Sequence, residues 1–204
     1  MIWAVVLAAG ESSRMGFCKQ LASLNGKTVL EHVLEKASKA RVEGVILVLG
    51  FMAEKLLPIA ARYPKVKPVF NPEYQSGLSS SIKVALRFLP ENCEAAVFML
   101  GDQPLVKVST INRLVEAYKA SGKPLVAPFH KGVRGNPILI SKKFFGELGK
   151  LKGDVGGRVL LSRFGGEVLK VEVDDPGILI DIDSPADLKA VRRLLRKVNH
   201  SRKG

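Results

Sequence analysis

The chain has 204 residues, 47% of them hydrophobic and 25% charged, the balance of a globular protein able to bury about 70% of its unfolded surface. No apolar stretch approaches the roughly 20 residues of a membrane helix, and two cysteines, Cys18 and Cys93, make neither a disulfide framework nor a metal-spacing pair, which points to a reducing cytoplasm. Lys and Arg number 32 against 19 Asp and Glu, a net charge of +13; this suits a polyanionic small substrate, and without a recognised RNA- or DNA-binding module nucleic acid is the minority reading.

Short apolar runs alternate with longer amphipathic ones, the pattern of parallel strands covered by helices. Strands are expected over 2–8, 44–50, 66–70, 95–100, 124–128, 136–140, 167–173 and 177–181. Helices are expected over about 27–40, 52–62, 77–89, 109–121, 141–149, 156–163 and 184–198. Leu30, Val33, Leu34 and Ala37 give the first helix a one-sided apolar face. Ser109 and Ser184 are suitable N-caps, the latter followed by Pro185 at the first helical position. Pro64 and Pro90 stop the helices before them. The last helix is amphipathic and basic, with Arg192, Arg193, Arg196 and Lys197. No linker splits the chain, so one domain over 1–204 is expected, its basic helix and tail covering about 184–204. In open α/β sheets ligands gather beyond the carboxyl ends of strands, and the glycine-rich and acidic segments fall largely there.

The first of these is Leu7-Ala8-Ala9-Gly10-Glu11-Ser12-Ser13-Arg14-Met15-Gly16, closed by Lys19. It follows a buried-strand run, and its small residues let backbone N–H groups approach an anion while Arg14 and Lys19 supply charge. It is neither a P-loop nor a dinucleotide fingerprint. A secretory signal is not expected here, since no cation precedes the short apolar run and Glu11 follows at once. A polyphosphate fits it. Cys18 and Cys93 read as structural.

Gly101-Asp102-Gln103-Pro104 follows a second apolar strand, so Asp102 is held at a strand tip where a hard carboxylate suits Mg²⁺, with turn capping as the alternative. Asp181 and Asp183 point the same way in an extended segment, and either could complete a metal site with Asp102. Capping competes for Asp183, and Asp187 complements the dipole of the following helix. Asn71-Pro72 and Gly77-Leu78-Ser79-Ser80-Ser81 lie at a helix start, where the serines cap or hold an anion, ribose or base edge. Arg134-Gly135-Asn136-Pro137 and Gly153-Asp154-Val155-Gly156-Gly157-Arg158 have the composition of an anionic acceptor pocket. There is no H-E-x-x-H, no nucleophile elbow and no Cys/His zinc spacing, so acyl-transfer and zinc-hydrolase readings lack their parts.

In this order the segments resemble the nucleotidyltransferase family that includes the molybdenum-cofactor guanylyl- and cytidylyltransferases. The match runs through L-A-A-G-x-S-x-R-M-G-x-x-K, G-L-S-S-S, G-D-Q-P, R-G-N-P, G-D-x-G-x-R and D-I-D-S-P-x-D-L, from residue 2 to about 190. The resemblance implies a Rossmann-like, three-layer α/β domain with a mainly parallel central sheet that binds a nucleoside triphosphate and Mg²⁺. It implies transfer of CMP from CTP to the terminal phosphate of molybdopterin or molybdenum cofactor, releasing pyrophosphate. Arg14, Lys19 and Asp102 would be catalytic, and Asp102 and Asp183 would hold the metal, with Asp181 as the substitute. Leu7, Ala8, Ala9, Gly10, Arg14, Gly16, Lys19, Asn71, Gly77, Ser79, Ser80 and Ser81 would bind nucleotide. Gln103, Arg134, Asn136, Asp154 and Arg158 would line the acceptor side. Ala9 tilts the nucleotide to CTP, since guanylyl members carry Leu-Ala-Gly-Gly, while Asn136 stands where many relatives have His. Guanylyl transfer, another phosphorylated acceptor, and a cofactor carrier without chemistry are the alternatives. A recipient molybdoenzyme or chaperone is the further partner implied.

Overall fold

The computed structural model describes residues 1–11 and 15–200. Strands β1 (Ile2–Ala8), β4 (Val45–Leu49), β5 (Val66–Phe70), β6 (Ala95–Leu100), β7 (Leu125–His130), β9 (Ile138–Ser141) and β10 (Val168–Glu172) form one sheet in the order β10-β7-β9-β6-β1-β4-β5. A short β8 (Val133–Arg134) pairs with β7, and β2 (Ser23–Leu24) and β3 (Lys27–Thr28) make a separate hairpin. β1 pairs in parallel with both β4 and β6, β4 with β5 and β10 with β7, whereas β9 is antiparallel to β6 and to β7. Every strand along this path except β9 therefore points the same way. The reversal matters for the site. It puts the start of β9, just after Asn136 and Pro137, at the edge where the other strands end.

Helices α1 (Val29–Lys39), α2 (Ala53–Ala60) and α4 (Val108–Ser121) cover one face of the sheet, and α3 (Leu78–Phe88), α5 (Phe145–Gly149) and α6 (Arg158–Arg163) cover the other. Alternation along β1 explains the division, because successive side chains leave a strand on opposite sides. Ala4, Val6 and Ala8 meet Leu30, Val33, Leu34 and Ala37 of α1, the four residues expected to form its apolar face. Val5 and Leu7 lie in the opposite core with Ile82 and Ala85 of α3. α7 (Pro185–His200) packs Leu188 and Val191 against Leu24, Val29 and Ile182. That contact carries the 180–183 segment back to the β2–β3 hairpin and the carboxyl edge.

Several expected elements are corrected. Residues 177–181 are not a strand: Pro176–Leu179 is a single 3-10 turn, because Pro176 has no N–H to give a ladder and the Asp175 carboxylate takes the Gly177 N–H at 3.0 Å. Ser109 does not cap α4; the helix begins at Val108, leaving Ser109 exposed in its first turn. Lys142–Phe144 is a 3-10 turn before α5 rather than its first turn. Ser184 does cap α7, its Oγ accepting the Asp187 N–H at 3.2 Å, and Asp187 Oδ2 accepts in return from Ser184 Oγ and from the Asp183 N–H. Thr28 and Glu31 form a capping box at the start of α1. No helix among the described residues is long and apolar enough to cross a membrane.

Glu35 on α1 accepts hydrogen bonds from Lys27 and Lys39, each at 2.6 Å, and these hold its carboxyl down at about 2 against burial. A carboxylate with a depressed folded-state pKa contributes stability that is complete above its unfolded value of 4.5 and lost as pH falls through about 2. Urea melts from pH 7 to pH 2 should therefore show wild type falling more steeply than Glu35→Gln. Their difference should start at no more than about 1 kcal/mol per screened pair and shrink to a small remainder at pH 2, where the carboxyl is half protonated. Parallel slopes would assign these pairs no net value.

Candidate active site

The carboxyl ends of β1 and β6 meet tightly. Gly101 N–H donates to Leu7 O at 2.9 Å, and a Cβ on Gly101 would lie 2.8 Å from the Ala8 Cβ, so only glycine lets the next residue sit this close to the β1 end. That next residue is Asp102. Lys19, from the turn Lys19–Leu21, places Nζ 2.5 Å from Asp102 Oδ2 and 2.9 Å from Asp183 Oδ1. Gln103 Nε2 donates to Asp181 Oδ1, and Ile182 N–H donates to Asp102 O at 3.1 Å. Segments more than 80 residues apart thus converge on one cation.

The electrostatics follow from burial. Burial disfavours the Lys19 ammonium, but the Asp102 charge and the hydrogen bonds to Asp102 and Asp183 outweigh it and hold the lysine above its ordinary range. Burial raises the Asp102 carboxyl, Lys19 opposes that rise, and the neighbouring Asp181 and Asp183 charges add to it. Asp102 Oδ1 is buried and has no hydrogen-bond partner. Behind this turn, Lys36 donates to Pro104 O, and burial pushes its ammonium down to about 8. Among the described residues no group of three or more His, Cys, Asp or Glu converges as a ready-made metal centre.

On the β4 side, Leu7, Ala9, Gly10, Tyr74, Gly77, Leu78, Ser81 and Asp154 line a pocket of about 130 Å³. Phe51 N–H donates to Ala9 O at 3.0 Å, which ties the loop after β1 to the end of β4. Gly77 has φ +95, and a Cβ there would fall 2.4 Å from the Gly153 carbonyl carbon, so the 77 and 153 loops touch. Asp154 Oδ1 accepts the Leu78 N–H at 3.3 Å and so stands as the anion at the start of α3. Asn71 and Ser80 spend their hydrogen bonds internally: Asn71 Nδ2 donates to Ser80 Oγ and Ser81 Oγ at 2.8 and 3.0 Å, and Ser80 Oγ bonds Glu73 O and Gly77 O. They hold the loop in shape. Ser79 is buried with its N–H on Gly153 O, and Ala8 faces the α1 core.

A second cavity, of about 150 Å³, adjoins the first across Leu7 and Leu78. Phe98, Leu100 and Ile138 give it apolar walls, and Asn136 and Arg158 its polar groups. Arg158 Nε donates to Asn136 Oδ1 at 3.1 Å, which fixes the amide and leaves Nδ2 buried without a partner. Arg134 lies on β8 and lines neither cavity, and Gln103 is turned to Asp181 rather than to either. Gly16, with Phe17, Leu21, Phe51 and Met52, lines a separate groove of about 370 Å³. Cys18 is 3% exposed, its thiol pushed up by burial and bonded to Gln20 Oε1 at 3.2 Å, the surroundings of an inert thiol. Arg14 lies outside the described residues.

Sequence reading missed Tyr74, Lys36 and Asp175, and it named Leu78 only within the Gly77–Ser81 motif. For Asp175 the Asp-Pro-Gly run offered a turn-capping signal; the others carry no signal in the sequence, because their positions come from packing.

A family model described as the MobA-like NTP transferase domain matches residues 4–168. The molybdenum cofactor cytidylyltransferase of Escherichia coli (strain K12) is 27% identical over 183 residues, covering 90% of this chain and 91% of that protein. The purine catabolism protein PucB of Bacillus subtilis (strain 168) is 31% identical over 201 residues, 94% of this chain and 96% of its own. The crystal structure of Rv0371c from Mycobacterium tuberculosis H37Rv superposes with a TM-score of 0.80 at 32% identity over 94% of this chain and 97% of that one. A second crystal structure of that protein, in complex with manganese, gives 0.76 at 29% identity with the same coverage. With its strand-tip aspartate, glycine-rich turn and mainly parallel sheet, the chain belongs to the MobA-like NTP transferase family and is a nucleotidyltransferase.

Proposed function

We propose that the protein moves CMP from CTP to the terminal phosphate of molybdopterin or molybdenum cofactor, as a cytoplasmic enzyme acting as one domain over residues 1–204. The observation that carries the reading is the meeting of Lys19 with Asp102 and Asp183 beside the glycine-rich turn. An acceptor phosphate oxygen attacks the α-phosphorus in line; the new P–O bond forms as the bond to the β-phosphate oxygen breaks, and pyrophosphate leaves with that electron pair. No protein nucleophile is needed, so catalysis rests on alignment and charge.

The residues fit a divalent cation. Asp102 Oδ1 is a buried, unpartnered hard oxygen, Asp183 offers a second carboxylate across Lys19, and hard oxygen ligands suit Mg²⁺ or Mn²⁺. Asp102 and Asp183 would hold it, with Asp181 as the substitute, and bound there it would neutralise charge on the triphosphate. Lys19 and Arg14 serve the phosphates, and the backbone from Leu7, Ala8, Ala9 and Gly10 to Gly16 positions them. Gly77 and Ser81 face the nucleoside; Ser79, Ser80 and Asn71 shape that loop. Asn136 and Arg158 serve the acceptor from the second cavity; Asp154, expected on that side, lines the first pocket with Gly77 and Ser81 instead, and Gln103 and Arg134 stand at the acceptor margin. The Ala9 methyl at the first pocket and the likeness to the E. coli cytidylyltransferase support CTP over GTP. A recipient molybdoenzyme or chaperone is the partner that would take the product.

Asp102→Ala and Lys19→Ala should each lower turnover by about 10²–10³ while circular dichroism shows an intact fold. Arg193→Ala, on the exposed side of α7, should leave turnover unchanged. Near-normal pyrophosphate release by Asp102→Ala with Mg²⁺ present would refute its role. In thermal-shift titrations with Mg²⁺, CTP should stabilise the protein more than GTP, ATP or UTP, reaching about 2.7 kcal/mol at a hundredfold excess over Kd; an equal response to GTP would remove the cytidylyl assignment.

A further inference from the structure

The 101–107 turn that presents Asp102 and the 175–183 segment that presents Asp181 and Asp183 are fastened together at their far ends by one buried carboxylate. Asp175 is 1% exposed. Its Oδ2 accepts from the Lys107 N–H at 2.8 Å and from Thr110 Oγ1 at 2.6 Å, and its Oδ1 accepts the Gly177 N–H at 3.0 Å. The two chains are in close contact here: a Cβ on Gly177 would lie 2.5 Å from Leu105 O. From this anchor one strand of chain runs through Leu105 to Asp102, and the other through Ile178 to Ile182, whose N–H returns to Asp102 O at 3.1 Å. Lys36 clamps the same turn from α1 through Pro104 O. Thr110 is itself 3% exposed on α4, so the anchor is rooted in a packed helix.

We propose that Asp175 is a positioning residue for the divalent-cation site, setting the separation of the Asp102 turn from the Asp181–Asp183 segment. This rests on the reading that Asp102 and Asp183 hold the cation. Lys19 offsets the repulsion between the two carboxylates when the cation is absent, but a flexible side chain does not fix how far apart the two backbone segments lie; the Asp175 bonds to both segments do. Asp175 makes none of the cation contacts itself. It acts through backbone, in the way outer partners of metal sites orient the ligands in front of them, where loss commonly weakens metal affinity 10–100-fold.

Asp175→Asn keeps the shape but sets an amide NH₂ against N–H and O–H donors, and Thr110→Val removes one donor with little change in volume. Mn²⁺ binding to each protein, followed by electron paramagnetic resonance of the free ion, is the readout, with melting temperature of the metal-free protein measured alongside. Mn²⁺ affinity should fall at least about tenfold in Asp175→Asn and less, in the same direction, in Thr110→Val. Raising Mn²⁺ should restore turnover in both and fail to restore it in Asp102→Ala. If Asp175→Asn does not fold, Thr110→Val decides. A variant that melts earlier yet holds Mn²⁺ with wild-type affinity overturns the proposal and leaves Asp175 a structural brace. If wild type binds no Mn²⁺, the cation reading falls and takes this inference with it.

Discussion

Lys19 Nζ lies 2.5 Å from Asp102 Oδ2 and 2.9 Å from Asp183 Oδ1, with side-chain exposures of 13% for the lysine and 17% for Asp102. Asp102 is largely withdrawn from water and Asp183, 38% exposed, stands beside it; two like charges this close favour a counter-charge between them, and here the lysine supplies it. The arrangement ties the turn after β1, the tip of β6 and the approach to α7 into one unit. The tip of β6 also walls the second cavity through Leu100.

The sheet supplies the second constraint. With all its path strands but β9 pointing one way, the loops after β1, β4 and β6 and the loop before β9 open on a common edge. The reversed strand is what lets Asn136 reach this edge from the opposite chain direction. The glycines then set how closely the loops approach. A side chain at Gly77 would strike Gly153, and one at Gly135 would strike Ile178 O at 2.4 Å. These contacts join the 77 loop to the 153 loop and the 135 loop to the 178 turn, so the cleft walls brace each other across the sheet edge.

Within the motifs, residues that look equivalent in sequence divide by hydrogen bonding. Ser80 and Asn71 satisfy one another and the local backbone, whereas Ser81 lines the pocket. Asp154 supplies the helix start with an anion from 76 residues further along the chain. Arg158 reads not as a free cation but as the group that orients Asn136. Asp175, signalled in the sequence only as a turn cap, bonds both acidic segments.

Much of this protein was legible from the chain alone. The strands through 95–100, the apolar face of the first helix and the cap at Ser184 all follow from local periodicity and residue type, because each depends on neighbours a few positions away. The clustering of Lys19, Asp102 and Asp183 was expected from motif order, but their contact distances were not. The reversed direction of β9, the 3-10 turn at Pro176–Leu179 in place of a strand, and the roles of Lys36, Tyr74 and Asp175 came only from the tertiary structure. Lys36 and Asp175 take their roles from partners more than 60 residues away, and the direction of β9 is set by pairing with β6 and β7, whereas the turn at Pro176–Leu179 rests on the local Asp175–Gly177 contact.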